Sequence, residues 1–135
     1  MKQRTLTPQN CPCGKTLSYE ACCGLYLDRG EVAQTAETLM RSRYTAYVLR
    51  REDYLLATWH ATTRPGALAL SDHQQNQWLG LTVKQHDPFA PNCAVVEFIA
   101  RYKQNGKAYR LHERSRFVFE QGRWFYVDGD MLTGS

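Results

Sequence analysis

Four of the five cysteines fall inside a single short segment, Cys11-Pro12-Cys13-Gly14-Lys15-Thr16-Leu17-Ser18-Tyr19-Glu20-Ala21-Cys22-Cys23, and only Cys93 stands apart. A segment that short cannot bury a core of its own, so the energy that orders it has to come from somewhere else, and metal binding is the direct source. Zinc takes four soft ligands in a tetrahedron, with thiolate sulfurs about 2.3 Å from the ion. Cys11 and Cys13, backed by Gly14, suit a tight turn presenting two sulfurs, because glycine accepts positive φ and Pro12 restricts the backbone ahead of it. Ser18 is placed to cap one helical turn that delivers Cys22 and Cys23. With all four positions filled by protein, such a site is structural and holds no open position for catalysis. The alternatives are four reduced thiols or two disulfides, and adjacent cysteines bridged to each other close a strained ring. A zinc site that oxidation empties is a further alternative, since exposed thiolates oxidise readily.

The pattern Cys11-Pro12-Cys13-Gly14, an aromatic at Tyr19 and the closing Cys22-Cys23-Gly24 resembles the SEC-C motif, named for the zinc-binding tail of the SecA translocation ATPase. The resemblance implies that Cys11, Cys13, Cys22 and Cys23 are ligands of a structural zinc ion. It also implies an adaptor surface that recruits a protein or ribonucleoprotein partner. The chain departs from the common form at Lys15-Thr16-Leu17 and lacks the lysines that usually flank the aromatic.

The 135 residues suffice for one core, and a composition of 43% hydrophobic and 22% charged residues is that of a water-soluble globular chain. No run of about 18 apolar residues is present, so no membrane helix is expected. The start Met1-Lys2-Gln3-Arg4-Thr5 lacks the apolar stretch of a secretory signal, and clustered cysteines without a disulfide framework fit the cytoplasm. The formal charge of +4 would be halved by a zinc tetrathiolate, with four negative charges against two positive. The arginines are dispersed and no aromatic-basic platform appears, so nucleic acid is not expected as a direct ligand.

Downstream, Val32, Ala36, Leu39, Met40, Tyr44, Tyr47 and Val48 recur at three- and four-residue steps, predicting a helix over 31–51. A second helix is expected over 52–59, a loop over 60–70 around Arg64-Pro65-Gly66, and a short helix from Ser71 to Gln77. The period then changes to two. Strands are expected around Leu79 to Val83, over 93–103, 107–120 and 123–128, with turns at Asp87 to Asn92, Asn105-Gly106 and Gln121-Gly122. Helices followed by an antiparallel sheet read as α+β.

Helices followed by a meander of long strands resemble the nuclear transport factor 2-like (NTF2-like) cone, in which a curved sheet wraps a long helix around a pocket. The whole chain resembles the YchJ-like family of uncharacterised bacterial proteins. That resemblance is carried by Leu39-Met40-Arg41-Ser42-Arg43-Tyr44, Thr58-Trp59-His60, Trp78-Leu79-Gly80-Leu81, Glu113-Arg114-Ser115-Arg116-Phe117 and Trp124-Phe125-Tyr126-Val127-Asp128-Gly129. It implies a zinc knuckle over residues 1–30 and a cone-fold domain over 31–135. Relatives often carry a second SEC-C copy after the cone. None occurs up to Ser135, so no bivalent use of two knuckles is expected.

Alternation on the third strand puts Glu113 and Ser115 on the apolar face with Leu111, Phe117 and Phe119, and puts His112, Arg114 and Arg116 on the other. A carboxylate on an apolar face needs a partner, and the structural expectation is an ion pair with Arg41 or Arg43. The functional alternative is a small-molecule or catalytic cone pocket using Glu113 or Asp128, lined by Tyr44, Trp59, Glu113, Ser115, Trp124, Tyr126 and Asp128. Asp128-Gly129 otherwise reads as the turn that ends the last strand. His60 has no partner visible in the sequence, and Cys93 reads as a buried, inert thiol. No phosphate-binding glycine loop, HExxH or GxSxG motif is present, and the expectation leans toward a binding module over an enzyme.

Overall fold

The computed structural model describes residues 10–68 and 77–132. Among these residues three helices precede four strands: α1 Gly24–Leu27, α2 Ala36–Leu49, α3 Glu52–Ala57, β1 Gln77–Ala90, β2 Cys93–Gln104, β3 Lys107–Glu120 and β4 Arg123–Met131. The strands form one antiparallel meander in the order β1-β2-β3-β4. This is the expected α+β architecture. The segment proposed as a helix from Ser71 lies outside the described residues except for Gln77, which opens β1.

The long helix begins five residues later than its periodicity suggests. Thr35 is extended, with φ −137°, and its Oγ1 accepts the backbone N–H of Thr38 at 3.1 Å, so it caps the helix at Ala36 and leaves residues 31–34 outside. Val32 consequently lies at the surface. At the other end Arg50 adopts the left-handed conformation, φ 60°, and α3 starts two residues on.

The two later hairpins turn on Asn105-Gly106, with φ 53° and 79°, and Gln121-Gly122, with φ 53° and 81°. Positive φ at both central residues matches the right-handed twist of the flanking strands. The first hairpin differs from expectation. β1 runs through Asp87-Pro88 to Ala90, because register shifts at Trp78/Gly80, Val83/Gln85 and Asp87/Ala90 absorb the proline on an edge strand. Those bulges also bend β1. β4 likewise runs past the expected turn at Asp128-Gly129 to Met131.

Inward residues of β2 (Ala94, Val96, Phe98, Ala100) and β3 (Ser115, Phe117) meet α2, which buries Leu39, Met40, Tyr44 and Ala46. Cys11, Cys13, Cys22 and Cys23 belong to the same buried cluster. Gly14, φ 99°, fits between β1 and α2: a Cβ there would lie 3.2 Å from the Leu81 carbonyl oxygen and 3.6 Å from Arg41 Nη1.

Candidate metal centre and cavity

The thiol-bearing segment is organised by its own backbone before any metal is considered. The Cys11 N–H donates to the Leu17 carbonyl at 2.7 Å, and the Gly14 N–H closes a turn onto the Cys11 carbonyl at 3.1 Å. Ser18 Oγ accepts the Ala21 N–H at 3.3 Å, as its position suggested, and the Cys22 N–H bonds to the Tyr19 carbonyl at 3.0 Å. The outcome is four sulfurs all within 4.8 Å of one another, each buried, with Cys13 and Cys22 Sγ 3.6 Å apart. A zinc tetrathiolate has sulfur–sulfur edges of roughly 3.8 Å. No disulfide joins these cysteines.

Electrostatics point the same way. Hydrogen bonds from Cys13 and Cys23 pull the Cys11 thiol far below its ordinary range. Burial and the Cys13 side chain push Cys22 up to about 12, while hydrogen bonds to Cys11 and Cys13, together with burial, raise Cys23 further. The sulfurs therefore cannot all carry charge together unless a cation sits among them. The donor set and its spacing fit a metal ion.

Two residues on α2 complete this centre, and neither was expected there from the sequence. The Thr45 hydroxyl, fully buried, donates to Cys23 Sγ at 3.2 Å and lies 3.7 Å from Cys11 Sγ. Arg41 Nη1 donates to the Cys13 carbonyl at 2.8 Å while its Nε pairs with Glu37 at 3.0 Å. The only sequence signal was their i,i+4 spacing, which puts both on one face of α2.

On a different face of α2, the concave side of the sheet encloses a cavity of about 230 Å³. Tyr44, Glu113, Ser115 and Tyr126 line it. Trp59, Trp124 and Asp128 do not. Trp59 packs edge-on to Tyr126 at 4.9 Å and donates to Thr63 Oγ1 at 3.2 Å. Trp124 lines a separate cleft and donates to the Gln34 carbonyl at 3.3 Å. Asp128 accepts from Arg116 Nε at 2.6 Å on the outer face, which leaves it unsuited to act as a base in the pocket. The cause is a bulge: Phe117 pairs with Tyr126 but Arg116 pairs with Asp128, so the skipped Val127 flips the alternation between Tyr126 and Asp128.

Glu113 makes no ion pair with Arg41 or Arg43 among the described residues. Its Oε2 accepts from Ser115 Oγ at 2.7 Å and Tyr126 OH at 3.3 Å. Arg43 instead donates through Nη1 to the Leu55 carbonyl at 2.8 Å and Thr58 Oγ1 at 2.7 Å, with its guanidinium over the Tyr126 ring at 4.5 Å and Trp59 at 5.1 Å. Burial draws Arg43 below its ordinary pKa, and burial together with the Glu113 charge raises Tyr126. Gly129 stands opposite Ser115 in the register, and a Cβ there would collide with the Glu113 carboxylate.

The remaining candidates have ordinary partners. His60 does have them: Nε2 lies 2.9 Å from Glu120 and Nδ1 lies 2.7 Å from Thr62 Oγ1. His112 and Arg114 share Glu97, at 2.7 and 3.4 Å, so the outer cations are paired. Cys93 is half-buried beside Asn92 Oδ1 at 3.8 Å.

Residues 35–129 match the family described as the YchJ middle NTF2-like domain. The chain belongs to the YchJ-like family. A UPF0225 protein from Methylibium petroleiphilum is 55% identical over 124 residues, covering 92% of this chain and 90% of the relative. Another UPF0225 protein, from Bordetella pertussis, is 49% identical over 97% of this chain and 99% of its own length. Among solved structures, a SEC-C motif protein from Rhodopseudomonas palustris superposes with TM-score 0.82 at 34% identity, over 92% of this chain and 99% of that one. A SEC-C motif protein from Psychrobacter arcticus gives 0.78 at 29% identity, over 94% and 85%. Both expectations drawn from resemblance, the YchJ-like family and the NTF2-like fold, therefore hold.

Proposed function

We propose that Cys11, Cys13, Cys22 and Cys23 hold one structural zinc ion, and that the protein is a binding module rather than an enzyme. One observation carries the metal assignment: four buried sulfurs within 4.8 Å of one another, with a fully buried threonine hydroxyl aimed at one of them. Four protein ligands leave the ion no open position, which favours a structural role. Zinc would supply the energy that pins residues 10–27 onto α2. Reduced thiols of this kind suit the cytoplasm.

The same geometry supports an adaptor role. The knuckle is held rigidly by Arg41 and Thr45, yet presents an exposed Leu17 beside a shallow cleft of about 100 Å³ between itself and α2. A fixed apolar residue next to a basic Lys15 and Arg41 is suited to a protein or ribonucleoprotein partner. Metal content of the purified protein by mass spectrometry tests the first part, with one zinc per chain expected and none in Cys22→Ser. Pull-downs with native protein and Cys22→Ser test the second. An unchanged partner set from a variant shown to have lost its metal removes the knuckle as the recruiting surface.

A further inference from the structure

The cavity is lined by two charged side chains whose hydrogen-bonding capacity the described residues fill only in part. Arg43 is only 6% exposed, yet of its five N–H donors only those on Nη1 find acceptors among the described residues. Trp59 and Tyr126 pack together against the guanidinium, and the edge formed by Nε and Nη2 is what remains without an acceptor among the described residues. That edge is the fork a carboxylate fills with two parallel hydrogen bonds. A buried donor left without a partner is costly, so an acceptor is expected there. Among the described residues none supplies one: Glu113 lines the same cavity but makes no ion pair with Arg43.

Glu113 is the second group only partly satisfied. Its Oε2 takes both local hydroxyls, leaving Oε1 without a hydrogen bond among the described residues. The cavity thus offers a two-pronged donor and, apart from it, a free carboxylate oxygen. Other lining residues are aromatic and apolar: Trp78 lies edge-on to Tyr44 at 5.7 Å and tilted to Tyr47 at 6.2 Å, and Phe98 lines the cavity as well. At about 230 Å³ the space is small for a ligand pocket, enough for about a dozen non-hydrogen atoms.

We propose that this cavity binds a small aromatic carboxylic acid carrying a hydrogen-bond donor away from the carboxylate. Arg43 grips the carboxylate through Nε and Nη2, Glu113 accepts from the donor, and Trp78 and Tyr47 hold the ring. The site lies on the face of α2 away from the thiols and does not depend on the metal assignment.

The test uses the intact protein and three probes: 4-aminobenzoate, its methyl ester, and benzoate. Binding is followed by tryptophan fluorescence and by the Trp78 indole N–H signal in nitrogen–proton correlation spectra. Expected is a saturable shift at Trp78 with 4-aminobenzoate, about tenfold weaker binding of the ester, and weaker binding of benzoate. Arg43→Lys keeps the charge and loses the fork, so it should weaken the acid about tenfold and leave the ester unchanged. Glu113→Gln should narrow the gap between 4-aminobenzoate and benzoate. If Arg43→Lys does not fold, the acid–ester contrast in the native protein decides. Equal binding of acid and ester overturns the proposal, as does an unchanged acid affinity in folded Arg43→Lys. So does the lack of any saturable Trp78 shift up to about 10 mM of each probe.

Discussion

The thiol centre and the cavity are served by the same helix and are built in opposite ways. Arg41 and Thr45 of α2 reach the cysteine segment, at the Cys13 carbonyl and the Cys23 sulfur, whereas Met40, Arg43, Tyr44 and Tyr47 line the cavity. Arg43 and Thr45, two residues apart, are on the order of 200° apart around the axis. The thiol centre takes all its sulfurs from one continuous segment, and its polar groups satisfy one another closely. The cavity is assembled from α2 and all four strands, and its charged groups form no ion pair with each other. A local site can be complete in itself. A non-local one, lined by a donor fork and a carboxylate that do not meet, is left open to a ligand.

The widest gap between the two should appear when the metal is removed. Cys23→Ser, or chelation of the native protein, is expected to cost at least about 3 kcal/mol, because metal binding and folding of the segment are the same event. The four cysteines share one buried cluster with α2, so the loss should reach the cone as well. A single thermal transition shifted to lower temperature is the expected calorimetric trace. Two transitions, with the cone melting at its native temperature, would make residues 10–30 and the cone independent units.

A smaller effect separates Thr45 from the sulfurs it serves. Thr45→Val preserves shape and deletes the hydroxyl that donates to Cys23, and hydrogen bonds of this kind to charged groups contribute about 1.5 kcal/mol. Metal affinity measured by chelator competition should fall about tenfold, as it does when partners behind a ligand are removed. The cavity should be untouched, and altered Trp78 fluorescence in this variant would show that the two faces of α2 are coupled.

On the cavity side the matching probe is Gly129→Ala. The new methyl group must displace the Glu113 carboxylate, costing about 1 kcal/mol. Glu113→Ala should relieve the clash, so the double variant is expected to be more stable than the two single losses added together. Strict additivity would mean that Glu113 does not rest over Gly129.

These contrasts also explain what the chain disclosed by itself. The cysteine cluster is legible because its chemistry is contained in thirteen neighbouring residues, and the spacing alone restricts what it can do. The meander is legible for a related reason: Asn105-Gly106 and Gln121-Gly122 are local turn signals. Pocket membership is legible only in part. Period-two counting carries Glu113 and Ser115 correctly to the inner face, but it fails across Val127, where one bulged residue sends Asp128 outward to Arg116. Charge complementarity suggested that Arg41 or Arg43 would meet Glu113, and neither does among the described residues. The partners Arg43 found, a backbone carbonyl and a hydroxyl at the end of α3, carry no sequence signature at all. Thr45 was hidden in the same way, since nothing marks a helical threonine as the donor to a distant sulfur.

The outer face of the sheet provides the weakest effect and the control for both sites. Hydrogen bonding from His112, supported by Arg114, holds the Glu97 carboxyl below the usual carboxylate range, and Arg116 does the same for Asp130. A carboxyl whose folded pKa is depressed contributes stability that is full above its unfolded pKa, about 4.3 for glutamate, and is lost as pH falls through the lower folded value. Native protein should therefore melt slightly above Glu97→Gln near neutral pH, with the gap closing in acid and shrinking in salt, since these pairs are partly open to solvent. Melting curves of the two proteins at about pH 7 and about pH 3 are the measurement. A gap that widens in acid would reverse the sign of the pairing. A change in metal content or in the Trp78 signal on Glu97→Gln would mean that the outer face communicates with the sites beneath it, and the separation of the two faces of α2 would then have to be redrawn for the whole sheet.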